Sequence, residues 1–200
     1  MKFTQRSEIV DWLHQHLPPK RVQHILRVEA MAEELAQIHH LSKTDAAMAG
    51  LLHDLAKCYP PENLLAIAQQ HWPTLHPVEV NHPHLLHGPV GAIEAQRLFN
   101  IDQPSVLQAI QNHTLGQPEM DGLSCVIFLA DSLEPGRGKS EKMQHLRDLC
   151  SKSLYRAVAK TCEYQLKKLM KRNLPIHPRM VDTRNWAIAQ DLRKDDKLNP

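Results

Sequence analysis

The chain has 200 residues, 42% of them hydrophobic and 23% charged, close to the averages for globular domains. This length fits one domain, and the composition excludes a disordered, collagen-like or coiled-coil chain. Lysine and arginine total 24 against 22 acidic residues, a net charge of +2 that argues against broad non-specific nucleic-acid binding. Fourteen histidines beside only 4% aromatic residues favour imidazole chemistry over base stacking on aromatic rings.

Cysteine usage and the N-terminal segment predict a soluble, cytoplasmic protein. The four cysteines form no CxxC pair, which suits a reducing compartment. The first residues, MKFTQRSEIVDWLHQHL, mix charged with apolar positions and lack the continuous apolar core of an export signal. The longest apolar stretch, 123–133, is about half a membrane span and contains Asp131, so no membrane association is expected.

Apolar residues recur every three or four positions along most of the chain, which predicts successive amphipathic helices. Pro18 and Pro19 separate the first two helices, and Ser42 with Asp45 three positions later is typical of a helix cap. The predicted helices cover about 9–17, 22–36, 42–56, 61–68, 84–99, 104–112, 123–133, two segments of 140–172 that meet near Ser151, and a last helix holding Val181, Trp186 and Ala189.

Two stretches depart from this amphipathic spacing. Residues 71–83 hold three prolines and three histidines without a period, which predicts a loop. Residues 123–133 are apolar on nearly every side, which predicts a helix in the middle of a bundle. Because no segment alternates at period two and no repeat occurs, the sequence predicts an all-α fold with a single domain over residues 1–200.

His53 and Asp54 are adjacent in a predicted helix. Neighbouring helical side chains diverge by roughly 100°, so both reach one point only if it lies against the helix, as a metal ion would. His24 and His113 lie on other helix faces, where a core or capping histidine is the alternative to a ligand.

Asp131 lies in the predicted apolar helix. Burying a carboxylate there costs several kcal/mol unless the group is paired or binds a cation. A salt bridge to Arg137 or Lys57 and a metal ion both satisfy this requirement, so both interpretations stay open.

The order His24, His53-Asp54, Asp131 resembles that of the HD-domain metal-dependent phosphohydrolases, whose helical bundle brings four such ligands to one metal ion. The strings RVQHILRV, LLHDLAK, HGPVGA, NHTLG and LADSLEPGR, followed by MKRNLPIHP and NW, are similar to the YqeK family of bacterial HD proteins over residues 20–186. The resemblance implies an HD-type helical bundle, with a metal-binding core over about 20–135 and C-terminal helices over about 140–192 packed on it. It also implies symmetrical hydrolysis of diadenosine tetraphosphate to two ADP on two metal ions, with iron favoured over manganese, cobalt, nickel or zinc.

The same resemblance assigns ligands to two ions. The first would bind His24, His53, Asp54 and Asp131, and the second His87 and His113, with Asp54 bridging. Six histidine and aspartate ligands without cysteine suit two first-row divalent ions better than a closed structural zinc site. Two ions about 3.5 to 4 Å apart generate hydroxide near neutral pH, so no separate protein base is expected.

The resemblance also places residues at the substrate. Lys57, one helical turn after His53, is expected to neutralise a phosphate oxygen and to act with Asp54 in catalysis. Arg137 is the better phosphate ligand, because a guanidinium binds phosphate through two hydrogen bonds, and Glu134 is expected to orient it. The full set of expected substrate contacts is Arg21, Lys57, His87, Thr114, Asp131, Glu134, Arg137 and Asn173.

Several of these assignments have structural alternatives. A surface salt bridge is the alternative for Lys57, and a purely structural role is the alternative for Arg21 and Asn173. Gly136 stands where the family often has another residue and is expected to loosen its loop. A late basic cluster is interpreted as a solvated helix face, with a polyphosphate contact as the alternative; it consists of Lys167, Lys168, Lys171 and Arg172.

Two other functions stay open. A phosphohydrolase acting on mononucleotides is one, because the ligands determine the chemistry at phosphorus and not the leaving group. A nucleotide-binding or ribosome-associated module without turnover is the other, although none of the six expected ligands is missing. We expect a nucleotide substrate and ADP as product, and no nucleic acid or membrane; the chain is compatible with a homodimer.

Overall fold

The helices of this chain surround one central helix. The computed structural model describes residues 3–198, with side chains between residues 5 and 193. No strand occurs in that part of the chain, which confirms the predicted all-α class, and none of the helices described there has the length and apolarity to cross a bilayer. The helices are α1 (Phe3–His16), α2 (Pro19–Ile38), α3 (Lys43–Leu52), α4 (Pro61–His71), α5 (Pro77–Asn81), α6 (His87–Phe99), α7 (Pro104–Asn112), α8 (Gly122–Leu133), α9 (Glu141–Lys152), α10 (Leu154–Lys171) and α11 (Pro178–Leu198).

The central helix is α8. It packs against α2, α3, α7, α9 and α10, and Ile127, Phe128 and Leu129 are fully buried, as the lack of a polar face in its sequence predicts. Burial of each such side chain contributes about 1.5 to 3 kcal/mol. The carboxylate of Asp121 accepts a hydrogen bond of 2.7 Å from the backbone N–H of Ser124 and begins the helix. Asp131 therefore projects from the most firmly packed element of the bundle.

The helix predicted over 42–56 is shorter than expected. Helix α3 ends at Leu52, and a 3₁₀ turn over Leu55–Cys58 follows the break. Leu55 and Ala56 are buried in this turn, so the apolar spacing continues after the α-helix has ended. The prediction of one continuous helix is wrong, and His53 and Asp54 occupy the break.

Residues 71–83 contain the short helix α5, where the sequence predicts a loop. Its cap is a histidine: the Nδ1 atom of His76 accepts from the N–H of Val78 at 3.1 Å, and Glu79 accepts from the N–H of His76 at 2.9 Å. This is a capping box. Histidine is not among the preferred capping residues, so the loop prediction over Pro77–Asn81 is wrong for a reason that composition does not reveal.

Helices α9, α10 and α11 complete the bundle through the contacts of α9 and α10 with α8. Ser153 separates α9 from α10, near the predicted break, and its side chain caps α10. Helix α11 packs against α10 and buries Met180 and Ala187, whereas the expected core residue Val181 is exposed. The existence of this helix is confirmed, but Val181 lies off its buried face.

Candidate metal centre

Six residues from five parts of the chain meet between the helices. His24 lies within α2, His53 and Asp54 follow α3, His87 begins α6, His113 follows α7 and Asp131 is near the end of α8. Five of the six are buried, and the side chain of Asp131 is 21% exposed. The fold thus brings together all the residues that the resemblance implies as metal ligands.

Three of the histidines are held by the helix ends on which they lie. The Nδ1 atoms of His53, His87 and His113 are 2.6 to 2.7 Å from the carbonyl oxygen three residues earlier. Each of these carbonyls belongs to the last turn of a helix or 3₁₀ turn, where the backbone offers no intrahelical N–H partner. Because Nδ1 donates to the carbonyl, Nε2 is left facing the cluster, as a metal ligand requires.

The first half of the cluster surrounds one oxygen of Asp54. Oδ2 of Asp54 lies 3.6 Å from Nε2 of His53 and 3.9 Å from Nε2 of His24. Oδ1 of Asp131 lies 3.0 Å from Nε2 of His24 and 3.7 Å from Nε2 of His53. A first-row ion with bonds of about 2.1 Å has neighbouring ligand atoms about 3 Å apart and opposite ones about 4 Å apart. These separations fit that geometry.

The second half surrounds the other oxygen of the same carboxylate. Oδ1 of Asp54 lies 3.3 Å from Nε2 of His87 and 3.9 Å from Nε2 of His113. The two imidazole Nε2 atoms are 2.9 Å apart. Asp54 therefore presents one oxygen to each half, which is the arrangement that a bridging carboxylate needs.

The burial and spacing of the ligand atoms also indicate cation binding. Nε2 of His53 is fully buried and has no hydrogen-bond partner among the described residues, a situation that costs free energy unless a ligand is bound. Ligand atoms of His24, His53 and Asp131 all lie within 4.8 Å of one another, and so do those of His53, Asp54 and His113. The first group lies in the first half, and the second joins the two halves through His53 and Asp54. Together with the distances above, these groups show that the residues present fit divalent cations.

The charges of the cluster also suit cation binding. Burial alone would raise the pKa of Asp54, but the neighbouring His53 and the hydrogen bond with His87 hold it well below its usual range. Asp131 is likewise held ionised against its burial by the hydrogen bond with His24, so its pKa is also low. Burial, with the nearby His87 and His53, lowers the pKa of His113 to about 3. The carboxylates are anionic and His113 is neutral, the forms in which these groups bind metals.

Cationic side chains line the edge of the cluster. Arg21 donates to Oδ2 of Asp54 at 2.7 Å, and Lys57 lies 3.9 Å from Oδ1 of Asp54 and donates to Nε2 of His87 at 3.1 Å. Arg137 pairs with Asp131, so the salt bridge left open by the sequence is present in the structure. Arg21, Lys57 and Arg137 are thus within reach of a substrate bound at the cluster.

The arginine partner of Glu134 differs from the expected one. Glu134 is 1% exposed, and its carboxylate accepts hydrogen bonds from Nδ1 of His24, from Arg27 and from the N–H of Gly136. Its arginine partner is Arg27 instead of Arg137, so the expected role of Glu134 in orienting Arg137 is wrong. Glu134 also lines a cleft beside the cluster, so its assignment as a substrate contact stays a prediction.

Gly136 and Asn173 have structural explanations. A Cβ on Gly136 would lie 2.5 Å from Nη2 of Arg27, so the glycine makes room for that guanidinium; the expected loosening of its loop stays a prediction. Asn173 ends α10 with a left-handed φ of 51°, a conformation that asparagine tolerates. Its side chain is exposed and lines no cavity described beside the cluster, which favours the structural alternative over a substrate contact.

A cavity of about 370 Å³ opens beside Asp131, Thr114 and Arg137, within the size range of small-molecule sites. Its far wall comes from α10 and α11 and the turn that joins them. That wall includes Tyr164, Lys168, Leu169, Arg172, Leu174 and Met180. Sequence reasoning singled out only Lys168 and Arg172 of these, as part of the basic cluster. The apolar members carry no signal that distinguishes a cavity wall from a helix core.

A second cleft of about 650 Å³ reaches the cluster at His24 and is lined by His24 and Glu134 together with basic residues. The basic residues are Lys20, Arg21, Arg27, Lys57 and Arg137. Arg137 lines both the cavity and the cleft. Both spaces therefore reach the cluster, and the cleft has more basic side chains in its lining than the cavity.

Residues 21–136 match the family model of the HD domain, which covers more than half of the chain and contains all six clustered residues. This chain belongs to the HD-domain family. Two relatives named symmetrical bis(5'-nucleosyl)-tetraphosphatase confirm the resemblance to the YqeK family. The Bacillus subtilis relative is 33% identical, with 92% of this chain and 98% of the relative covered. The Staphylococcus aureus relative is 30% identical, with 90% and 93% covered.

A solved structure supports the same family. This HD-domain hydrolase is similar to a Clostridium acetobutylicum protein described as an HD superfamily hydrolase involved in NAD metabolism. The TM-score is 0.88 at 32% sequence identity, with 92% of this chain and 97% of the other covered. Because the likeness spans both chains almost completely, it includes the C-terminal helices that form the cavity wall.

Proposed function

We propose that this HD-domain hydrolase cleaves diadenosine tetraphosphate symmetrically to two ADP. The observation that carries the proposal is a double histidine and aspartate cluster, joined through Asp54, with two ligand-sized spaces beside it. A reaction at the middle of a symmetrical substrate needs room for a nucleotide on both sides of the reacting phosphates. The names of the relatives provide independent support for this choice of substrate.

Two divalent ions would be held by the two halves of the cluster. His24, His53, Asp54 and Asp131 would bind the first ion, and Asp54, His87 and His113 the second. We favour iron, with manganese, cobalt, nickel or zinc as alternatives, because imidazole and carboxylate ligands suit all of these ions. When bound, the ions would supply Lewis-acid stabilisation of phosphoryl oxygens and a nucleophile at neutral pH.

The side chains around the cluster would hold and orient the phosphates. Arg137 borders both spaces and can donate two parallel hydrogen bonds to the phosphate chain that passes between them. Lys57, half-buried beside Asp54 and His87, would neutralise a nearby oxygen. Thr114, with its hydroxyl 3.3 Å from Nε2 of His87, would donate from the cavity side. These contacts bring the central anhydride to the cluster and make cleavage symmetrical.

The two spaces would receive the two halves of the substrate differently. The cavity, with Leu169, Leu174 and Met180 in its wall, offers apolar surface to a nucleoside. The cleft, with Lys20 and Arg21, offers positive charge to the remaining phosphates. A mononucleotide would fill only the cavity, so the cationic cleft favours the dinucleotide over the mononucleotide alternative.

The test combines metal analysis and product chromatography on one purified sample. We expect two divalent ions per chain after anaerobic loading with iron or manganese, and ADP as essentially the only nucleotide formed from diadenosine tetraphosphate. The same sample treated with a chelator is the control and should be inactive.

Each part of this test can contradict the proposal. Equal amounts of AMP and ATP in the early time course would mean asymmetric cleavage. One ion or fewer per chain would contradict the two-metal assignment. No hydrolysis by protein holding two ions would favour a mononucleotide substrate or a binding module.

A further inference from the structure

His24 differs from the other three clustered histidines in its position on the chain. It lies inside the 20-residue helix α2, whereas His53, His87 and His113 lie at helix ends. Inside a helix the carbonyl three or four residues earlier already accepts a backbone N–H. His24 therefore lacks the backbone acceptor that orients the other three rings, and a side chain must replace it.

Glu134 provides that acceptor from the residue that follows α8, 110 positions away in the sequence. Its Oε1 lies 3.0 Å from Nδ1 of His24, on the side of the ring opposite Asp131. The remaining lone pairs of Glu134 are used by Arg27 and by the N–H of Gly136. Because Arg27 is one helical turn after His24 on α2, the same helix contributes both the ring and the cation that holds its acceptor in place.

We infer that Glu134 is a positioning residue that fixes the ring of His24 with Nε2 toward Asp54 and Asp131. This inference rests on the proposed metal centre and extends it. A carboxylate that accepts from a ligand histidine both orients the ring and strengthens it as a ligand. Since Glu134 contacts His24 and none of the other clustered histidines, it supports the first ion and not the second.

The matched control is Glu29, also buried and also on or beside α2. Its carboxylate forms two hydrogen bonds of 2.7 Å with Arg6 and touches none of the clustered histidines. Glu29→Gln and Glu134→Gln therefore each neutralise a buried carboxylate paired with arginine. Only the second change alters the acceptor of His24, replacing a carboxylate by a neutral amide, so any shared effect reports the loss of a buried ion pair.

The first measurement follows the ring protons directly. In full-length protein with ¹⁵N-labelled histidine, the Nδ1–H of His24 should exchange slowly with water because it donates to a buried carboxylate. In Glu134→Ala this signal should be lost, while the Nδ1–H signals of His53 and His113, which donate to backbone carbonyls, should persist as internal controls. Glu29→Gln should leave all three signals unchanged.

The second measurement is a calorimetric titration with Mn²⁺. Glu134→Ala should weaken one of the two binding events by about 10- to 100-fold and leave the other unchanged. Glu134→Gln retains an oxygen that can face His24, so it should restore part of this loss. Glu29→Gln should bind Mn²⁺ as the unchanged protein does.

Three results would overturn the inference. The first is a slowly exchanging Nδ1–H of His24 that survives in Glu134→Ala. The second is an equal weakening of both Mn²⁺ sites in Glu134→Ala. The third is a loss of Mn²⁺ affinity in Glu29→Gln as large as that in Glu134→Gln. If Glu134→Ala does not fold, the comparison of the two glutamine variants decides in the same way. Neither measurement uses a nucleotide, and proton exchange needs no metal, so a failure here differs from a failure of the proposed reaction.

Discussion

The metal cluster and the cavity wall are built in opposite ways. In the cluster, each histidine ring is held by a hydrogen bond at Nδ1, and all four histidines are buried. In the cavity wall, Lys168, Arg172 and Leu174 are exposed side chains of α10 and the following turn. A site for chemistry requires ligands that do not move. A site for recognition can use exposed side chains on an element added to the core, so substitutions in the two regions should have effects of different size.

The largest effect is expected at Asp54, which both halves of the cluster share. Asp54→Asn should abolish turnover and lower the affinity for both ions, because one oxygen of Asp54 faces each pair of histidines. Folding should survive, since the cluster is a small part of the buried interior. The measurements are kcat and metal content.

The control for this variant is Asp11→Asn, which changes an exposed carboxylate on α1. It should leave kcat and metal content unchanged. If Asp54→Asn keeps more than about a tenth of the rate of the unsubstituted protein, the bridging role is contradicted, because a tenfold loss of rate corresponds to only about 1.4 kcal/mol of barrier.

A smaller effect is expected where the two regions meet. Arg137 lines the cavity and also pairs with Asp131, whereas Lys168 lies in the cavity wall and contacts the ring of Tyr164 at 5.3 Å. Arg137→Ala should lower kcat/KM for diadenosine tetraphosphate by about 10- to 100-fold, as expected for a lost charged hydrogen bond of about 1.5 to 3 kcal/mol. Lys168→Ala should raise KM a few-fold with kcat unchanged, and both variants should keep two ions.

Steady-state kinetics together with metal content separate these two expectations. A loss of an ion in Arg137→Ala would mean that this residue belongs to the cluster alone. A fall in kcat without a change in KM in Lys168→Ala would place the cavity wall in the chemistry and remove the distinction between the two regions.

The cluster could be predicted from the sequence better than its surroundings. His53, Asp54 and Asp131 are unusual among apolar neighbours, so the sequence alone indicates that they have a chemical role. Glu134 is expected to orient Arg137, three residues away, whereas its partners are Arg27 and His24, the latter 110 positions away. Contacts of that kind depend on how helices pack, which local spacing does not determine.

The prediction of helix boundaries from local spacing is limited in the same way. The long apolar pattern of α8 predicted a buried helix, and the structure confirms it. The break after Leu52 was missed because apolar residues continue through the 3₁₀ turn. Helix α5 was missed because its cap is His76. Periodicity reports burial, and it does not distinguish an α-helix from the tighter turn that ends it.

The smallest effect concerns the edge of the cavity, where His177 begins α11. Its Nδ1 accepts from the N–H of Arg179 at 3.1 Å, and its Nε2 is 3.6 Å from Glu79 on α5. Burial, together with Arg179 and the adjacent ring of His76, lowers the pKa of His177, and Glu79 opposes this only in part. His177 is therefore neutral in the folded protein at neutral pH.

This pKa direction sets the sign of a pH effect on stability. The unfolded chain, in which a histidine has a pKa of about 6.5, binds the proton before the folded chain does. The contribution of His177 to stability is complete above about pH 6.5 and declines as the pH falls toward the lower folded value. His177→Asn can still cap the helix but cannot titrate. Thermal unfolding at pH 7 and pH 5 should show a smaller loss in this variant than in the unchanged protein. Because the other histidines titrate in both proteins, equal losses would mean that His177 does not couple the cavity edge to pH.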